Sequence, residues 1–125
     1  MRRGDVCTAA LPGDFGKPRP SAVVQTDVLN TDHATFVLCP FTSKERDLDV
    51  FRFAVDPTPT NGLTRRSYLM TDKIFAVKRE RVGGVIGRLD AATMEAVDRA
   101  LVALLDLGHV ATDPSGPARP GARRR

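Results

Sequence analysis

Tryptophan is absent from this 125-residue chain, and tyrosine occurs once. Recognition by a broad aromatic stacking surface therefore has few side chains to use. Phe15 and Tyr68 are the candidates for exposed rings, while Phe36, Phe41, Phe51 and Phe53 sit in apolar runs and read as core. Histidine is nearly missing too. His33 falls in a polar, turn-rich stretch, and His109 just past a helical segment, where an imidazolium suits the helix dipole. A histidine pair for acid–base chemistry is not in evidence. The two cysteines, Cys7 and Cys39, lie inside apolar runs and read as buried, reduced thiols. Cysteines and histidines are scattered without paired spacing, so no metal or other cofactor is expected. No apolar run approaches the roughly 18 residues of a membrane span, and no apolar stretch follows the charged start. The chain reads as cytoplasmic, with no membrane association.

Acidic charge is in short supply only at one end. The formal charge is +4, but residues 112–125 hold four arginines and one aspartate. Residues 1–111 then carry 15 basic and 14 acidic groups, close to balance. Three prolines and two glycines in 112–125 leave little to bury, which predicts a disordered basic tail. Such a tail adds weak, salt-sensitive attraction to nucleic acid, or serves only as a solubilising end. The remainder, 1–111, is long enough for one domain with one core.

What is present is a series of short apolar runs. Residues 5–11, 21–26, 35–41, 50–55, 67–70 and 73–77 predict strands, the run at 50–55 with clean alternation. Residues 27–33 and 56–66 read as loops, and 82–88, with Gly83, Gly84 and Gly87, as a turn or bulged edge strand. Asp90 can cap a helix whose stripe is Met94, Val97, Leu101, Leu104 and Leu105, ended by a left-handed Gly108. Many short strands followed by one helix imply a mainly β fold, a strongly bent sheet or small barrel with the helix laid against it.

Between the first two runs lies Pro12-Gly13-Asp14-Phe15-Gly16-Lys17-Pro18-Arg19-Pro20. Its prolines and glycines mark a shaped loop. A proline on each side fixes the approach of Arg19, a means of holding a positive charge where an anion must sit. The run ending in Phe41-Thr42-Ser43 brings hydroxyls towards the same spot if the two strands are neighbours.

Arg3-Gly4-Asp5-Val6, the loop ending in Arg19-Pro20, Ala22-Val23-Val24-Gln25-Thr26-Asp27 and Leu38-Cys39-Pro40-Phe41-Thr42-Ser43 together resemble the MazF/PemK family of toxin endoribonucleases. Asp72-Lys73-Ile74 and Ile86-Gly87-Arg88-Leu89-Asp90 fit its second half, so the likeness spans roughly residues 2–108. The resemblance implies an SH3-like small barrel of the CcdB/PemK type with a C-terminal helix, working as a homodimer. It implies metal-independent, sequence-selective cleavage of single-stranded RNA, and neutralisation by a cognate antitoxin. It assigns chemistry to Arg19 and Thr42, with Asp14 contributing. The chain departs from the pattern at Cys7, where members usually have an aromatic residue.

Cleavage of this kind uses the 2′-hydroxyl as nucleophile and yields a 2′,3′-cyclic phosphate and a 5′-hydroxyl. The fork of Arg19 matches phosphate oxygens and stabilises developing charge, with proton donation as a second role. Thr42 would hydrogen-bond a phosphate oxygen, and Asp14 would orient Arg19 or act as base. Lys17, Ser43, Arg65, Arg66 and Lys73 lie in loops or at strand ends and form the candidate RNA track. The alternative is a CcdB-like gyrase poison, a binding protein rather than an enzyme, suggested by Val24-Gln25-Thr26-Asp27 and Met70-Thr71-Asp72. That family lacks the Arg-Gly-Asp-Val opening and the Arg-Pro loop.

Overall fold

The computed structural model describes residues 1–11 and 17–110. Seven antiparallel strands are β1 (Asp5–Ala10), β2 (Pro18–Val23), β3 (Thr35–Thr42), β4 (Arg52–Val55), β5 (Ser67–Met70), β6 (Phe75–Lys78) and β7 (Val82–Arg88). Helix α1 (Asp27–Asn30) is a single turn, and α2 (Ala91–Leu104) follows the last strand. The sheet runs β4-β5-β3-β2-β1-β7, with β6 on β3. The mainly β architecture with a C-terminal helix is as expected, but the barrel is open, its hydrogen-bonded path ending at β4 and β7. The predicted tail at 112–125 lies outside the described residues. Among the described residues no helix is long and apolar enough to cross a membrane.

Both faces of the central strands β1, β2 and β3 are covered, which explains why their runs are apolar at successive positions. Val6, Ala22 and Cys39 are register partners and enter one core cluster with Phe41, Val55, Leu63, Leu69, Leu89 and Val97. Their immediate neighbours Cys7, Val23 and Leu38 face the other way, into a second cluster with Ala9, Phe36 and Val77. Helix α2 closes the first cluster. Asp90 Oδ1 accepts the Thr93 N–H at 2.8 Å, Val97 and Ala100 are buried, and Met94 and Leu101 pack partly against the cluster. Leu104 and Leu105 contribute less than the stripe predicts, and Leu105 is exposed.

Four local expectations are corrected. The second strand begins at Pro18, not residue 21. A pair containing Pro40 cannot be hydrogen-bonded, so Ser21, opposite Pro40, turns its N–H to β1. Pro18 and Pro20 are one residue out of phase, so their missing N–H groups fall on the β3 side, where the β2–β3 ladder starts only at Ser21. The prolines therefore interrupt no β1–β2 ladder bond, and Arg19 belongs to β2 rather than to a loop. The polar stretch 27–33 begins with α1, because the Thr26 hydroxyl caps Val28 at 3.3 Å and Asn30 is pinned to Gln25 and Asp27. The run at 73–77 starts only at Phe75, after a 3-10 turn at Thr71–Lys73. Finally, α2 is ended by left-handed Asp106 (φ 55°), not Gly108. The Leu107 N–H reaches Val102 O at 2.8 Å and the Asp106 N–H reaches Ala103 O at 3.2 Å, a Schellman closure.

A candidate RNA-binding cleft

Strand β2 carries Arg19 opposite Ala9 of β1. The β2–β3 pairing runs from Val23–Leu38 to Ser21–Pro40, with Arg19 two residues before Ser21 and Thr42 two residues after Pro40, and both side chains line one cleft. Thr42 in turn faces Tyr68 of β5. The predicted neighbourhood of arginine and hydroxyl is thus built into three adjacent strands. Arg19 is half-buried where β2 begins and Thr42 half-buried where β3 ends. They meet at a cleft of about 440 Å³ lined also by Pro20, Phe41, Ser43, Lys44, Leu63, Arg65 and Ser67.

Thr42 is held by its own chain. Its Oγ1 accepts the Lys44 backbone N–H at 3.2 Å. No described residue takes the hydroxyl hydrogen, which is available to an anion in the cleft.

The opposite rim comes from the long 56–66 loop, and buried Asn61 organises it. Asn61 Oδ1 accepts the N–H groups of Thr58 (3.1 Å) and Leu63 (3.0 Å), while Nδ2 donates to Asp56 O at 2.9 Å. Gly62 (φ 75°) lies so close to β7 that a Cβ there would overlap the Ile86 carbonyl, and a Cβ on Gly87 would meet the Asn61 backbone. The Arg88 N–H donates to Thr60 O at 2.7 Å. These contacts press the loop onto β7 and place Gly62, Leu63, Thr64 and Arg65 along the cleft.

Of the predicted site residues, Arg19, Thr42, Ser43 and Arg65 converge. Arg66 points elsewhere and pairs with Asp56 at 2.7 Å, a hydrogen bond that raises its guanidinium pKa. Lys17 is exposed just before β2, and Lys73 is exposed at the end of the 3-10 turn. Neither lines the cleft. Asp14 and Phe15 lie outside the described residues. Tyr68 is buried at 6 % exposure between β3 and β4, not the exposed ring expected of it. Both histidines are exposed and away from the cleft lining.

The sequence reading missed Lys44, Arg46 and Arg52. A recess of about 180 Å³ adjoins the cleft, lined by Arg19, Thr42, Lys44, Arg46, Arg52 and Met70. Lys-x-Arg directly after Thr42-Ser43 was the available signal. Cleft and recess together present Arg19, Lys44, Arg46, Arg52 and Arg65, and among the described residues no carboxylate lines either. Asp72 holds Arg52, accepting from Nη2 at 2.9 Å and Nε at 3.4 Å. A concave surface lined by cations favours a polyanion. The cysteines have no part in it. Burial pushes the Cys7 thiol up to about 11 and Cys39 to about 12, so neither is a thiolate near neutrality.

Residues 2–105 match the family described as PemK-like, MazF-like toxins of type II toxin–antitoxin systems. The chain belongs to that family. A Mycolicibacterium smegmatis protein named a probable endoribonuclease MazF is 40% identical to this MazF-like chain over 108 residues, covering 86% of it and 98% of the relative. Endoribonuclease EndoA of Bacillus subtilis is 27% identical over 113 residues, 85% and 97% of the two chains. A mycobacterial endoribonuclease solved in complex with its cognate antitoxin superposes with a TM-score of 0.72 at 25% identity, covering 86% of this chain and 96% of that one. The expected MazF/PemK resemblance is borne out.

Proposed function

We propose that this MazF-like chain is the toxin of a toxin–antitoxin pair and acts as an endoribonuclease on single-stranded RNA. The observation that carries the reading is the cleft itself: Arg19 and Thr42 side by side, cations around them and no carboxylate in the described lining. Its size suits one unstacked nucleotide. Pro20, Phe41, Leu63 and Ile86 offer an apolar wall, and Thr42, Ser43, Thr64 and Ser67 offer hydroxyls to base edges.

The 2′-oxygen attacks phosphorus while the bond to the 5′-oxygen breaks, leaving a 2′,3′-cyclic phosphate and a 5′-hydroxyl. Arg19 stabilises the charge that builds on the non-bridging oxygens, worth about 3–4 kcal/mol for one preorganised donor. The Thr42 hydroxyl donates to one of the same oxygens. The resemblance brings Asp14 to the site; in this reading it orients Arg19 or takes the 2′ proton, and Arg19 is the donor to the leaving oxygen. Charge stabilisation in this reading comes from Arg19 and Thr42 themselves. Cleavage is metal-independent in this reading, and the cleft wall makes it sequence-selective.

The resemblance also brings a homodimer, and Val102, Leu105, Leu107 and Val110, exposed at the end of α2, offer apolar surface for a second copy. An antitoxin segment rich in acid would find the cation-lined cleft complementary. Residues 112–125, with four arginines and one aspartate, would add salt-sensitive attraction to RNA.

The test is incubation of the purified protein with a long RNA in EDTA, with the cut ends mapped. Cyclic phosphates and 5′-hydroxyls, lost in Arg19→Ala, are expected. Intact RNA together with trapped gyrase–DNA complexes would instead make the chain a gyrase poison.

A further inference from the structure

The recess beside the cleft differs from it in chemistry. The cleft has an apolar wall and several hydroxyls, the makings of a nucleoside site. The recess has Met70 as its one apolar side chain, and four of its six lining residues are cations. Three residues, Arg19, Thr42 and Lys44, are common to both, so whatever fills the recess adjoins whatever sits at Arg19.

The recess is also built rather than incidental. Lys44 and Arg46 are alternate residues of the β3–β4 loop and share its inner side, whereas Glu45 between them is absent from the lining. The loop is tied at both ends. Thr42 Oγ1 fixes the Lys44 N–H, and Asp49 Oδ1 accepts the N–H groups of Phe51 (2.8 Å) and Arg52 (3.1 Å). Arg52, with a side chain only 12 % exposed, is oriented by its two contacts to Asp72. Cations gathered around a small space favour an anion between them.

Resting on the ribonuclease reading, we propose that this recess is a second phosphate subsite, taking the backbone phosphate next to the one that is cleaved. Lys44 and Arg46 grip that phosphate, and Arg52 faces it from the strand. The subsite holds the strand in register, so that only an internal linkage, with a charged neighbour on the recess side, lies squarely across Arg19 and Thr42. It makes the activity dependent on a phosphate that takes no part in the reaction.

The test uses RNA oligonucleotides centred on a mapped cut. In each, one linkage flanking the cut is replaced by an uncharged methylphosphonate, first on one side and then on the other. kcat/KM is measured for the wild-type chain, Lys44→Ala and Arg46→Ala. Both substitutions fall in an exposed loop and leave the core untouched. Each should lower kcat/KM about tenfold on all-phosphate RNA, the scale of one hydrogen bond to a charged group. One methylphosphonate position should cost the wild type a similar factor and abolish any further loss in Arg46→Ala. The position on the other side should leave the Arg46→Ala loss intact. Losses that simply multiply at every position would overturn the subsite while cleavage persists. Failure of the wild type to cut any RNA would overturn the ribonuclease reading, and the subsite with it.

Discussion

The Thr42 hydroxyl oxygen accepts the backbone N–H of Lys44 at 3.2 Å. One lone pair is thereby committed to the chain, and the hydroxyl hydrogen is directed away from that bond. A fixed donor beside Arg19 is what a phosphate oxygen acquiring charge requires. Thr42→Ser preserves the acceptor and the donor, and should cleave RNA within a few-fold of the wild type. Thr42→Val keeps the shape and loses both, and should fall about a hundredfold in kcat. Equal activity of the two variants in a single-turnover assay would remove Thr42 from the chemistry.

Gly62 should be among the least replaceable positions of the cleft rim. Its φ of 75° disfavours any L side chain, and a Cβ would collide with the Ile86 carbonyl, which is backbone and cannot rotate away. Gly62→Ala should destabilise the fold by about 2–4 kcal/mol in urea unfolding. A variant that keeps wild-type stability would show that the 56–66 loop does not need its close approach to β7.

The strands at 5–11, 35–41, 50–55 and 67–70 and the capped helix were legible because period and burial agree there. The start of β2 was not, since prolines at 18 and 20 signal a loop unless the phase of the neighbouring ladder is known, and that phase depends on Pro40, twenty residues away from Pro20. The end of α2 went to Asp106 rather than Gly108 because the last turn fixes which residue must be left-handed, and helix length decides that. In the cleft, Arg19 and Thr42 could be found from their motifs. Arg65 and Arg66 could not be told apart, because both lie in the loop before β5 and its bend decides which way each side chain turns. Here Arg65 takes the cleft and Arg66 takes Asp56. Lys44-Glu45-Arg46 offered a signal, but its meeting with Arg52 of β4 depends on the path of the β3–β4 loop, which the sequence does not show.

Acid should weaken the fold through two surface aspartates. The N–H of Arg3 and then the Asn30 side chain hold the Asp27 carboxyl below its ordinary pKa, and hydrogen bonds from Thr93 do the same for Asp90. A depressed folded pKa means that the unfolded chain takes up the proton first. Their contribution is therefore fully present above the unfolded value of about 3.9 and is lost as pH falls through the folded values. Melting temperature between pH 5 and pH 2 should fall less steeply in Asp27→Asn with Asp90→Asn than in the wild type. Parallel curves would show that these hydrogen bonds do not couple to folding.

The two cysteines should behave as core rather than as reagents. Cys7 and Cys39 are fully buried on β1 and β3, and their neighbours face them from both cores. Burial raises both thiol pKa values, to about 11 and about 12, so the folded state favours the protonated thiols. For a raised acid the stabilisation is present below the unfolded value of about 8.5 and is lost as pH climbs towards the folded ones. At pH 8 iodoacetamide should therefore label neither cysteine in the native protein, and both once urea has unfolded it, as read by intact mass. Labelling of Cys7 in the native state would mean that β1 opens beneath Arg19, and the rigid three-strand setting of Arg19 and Thr42 would have to be abandoned.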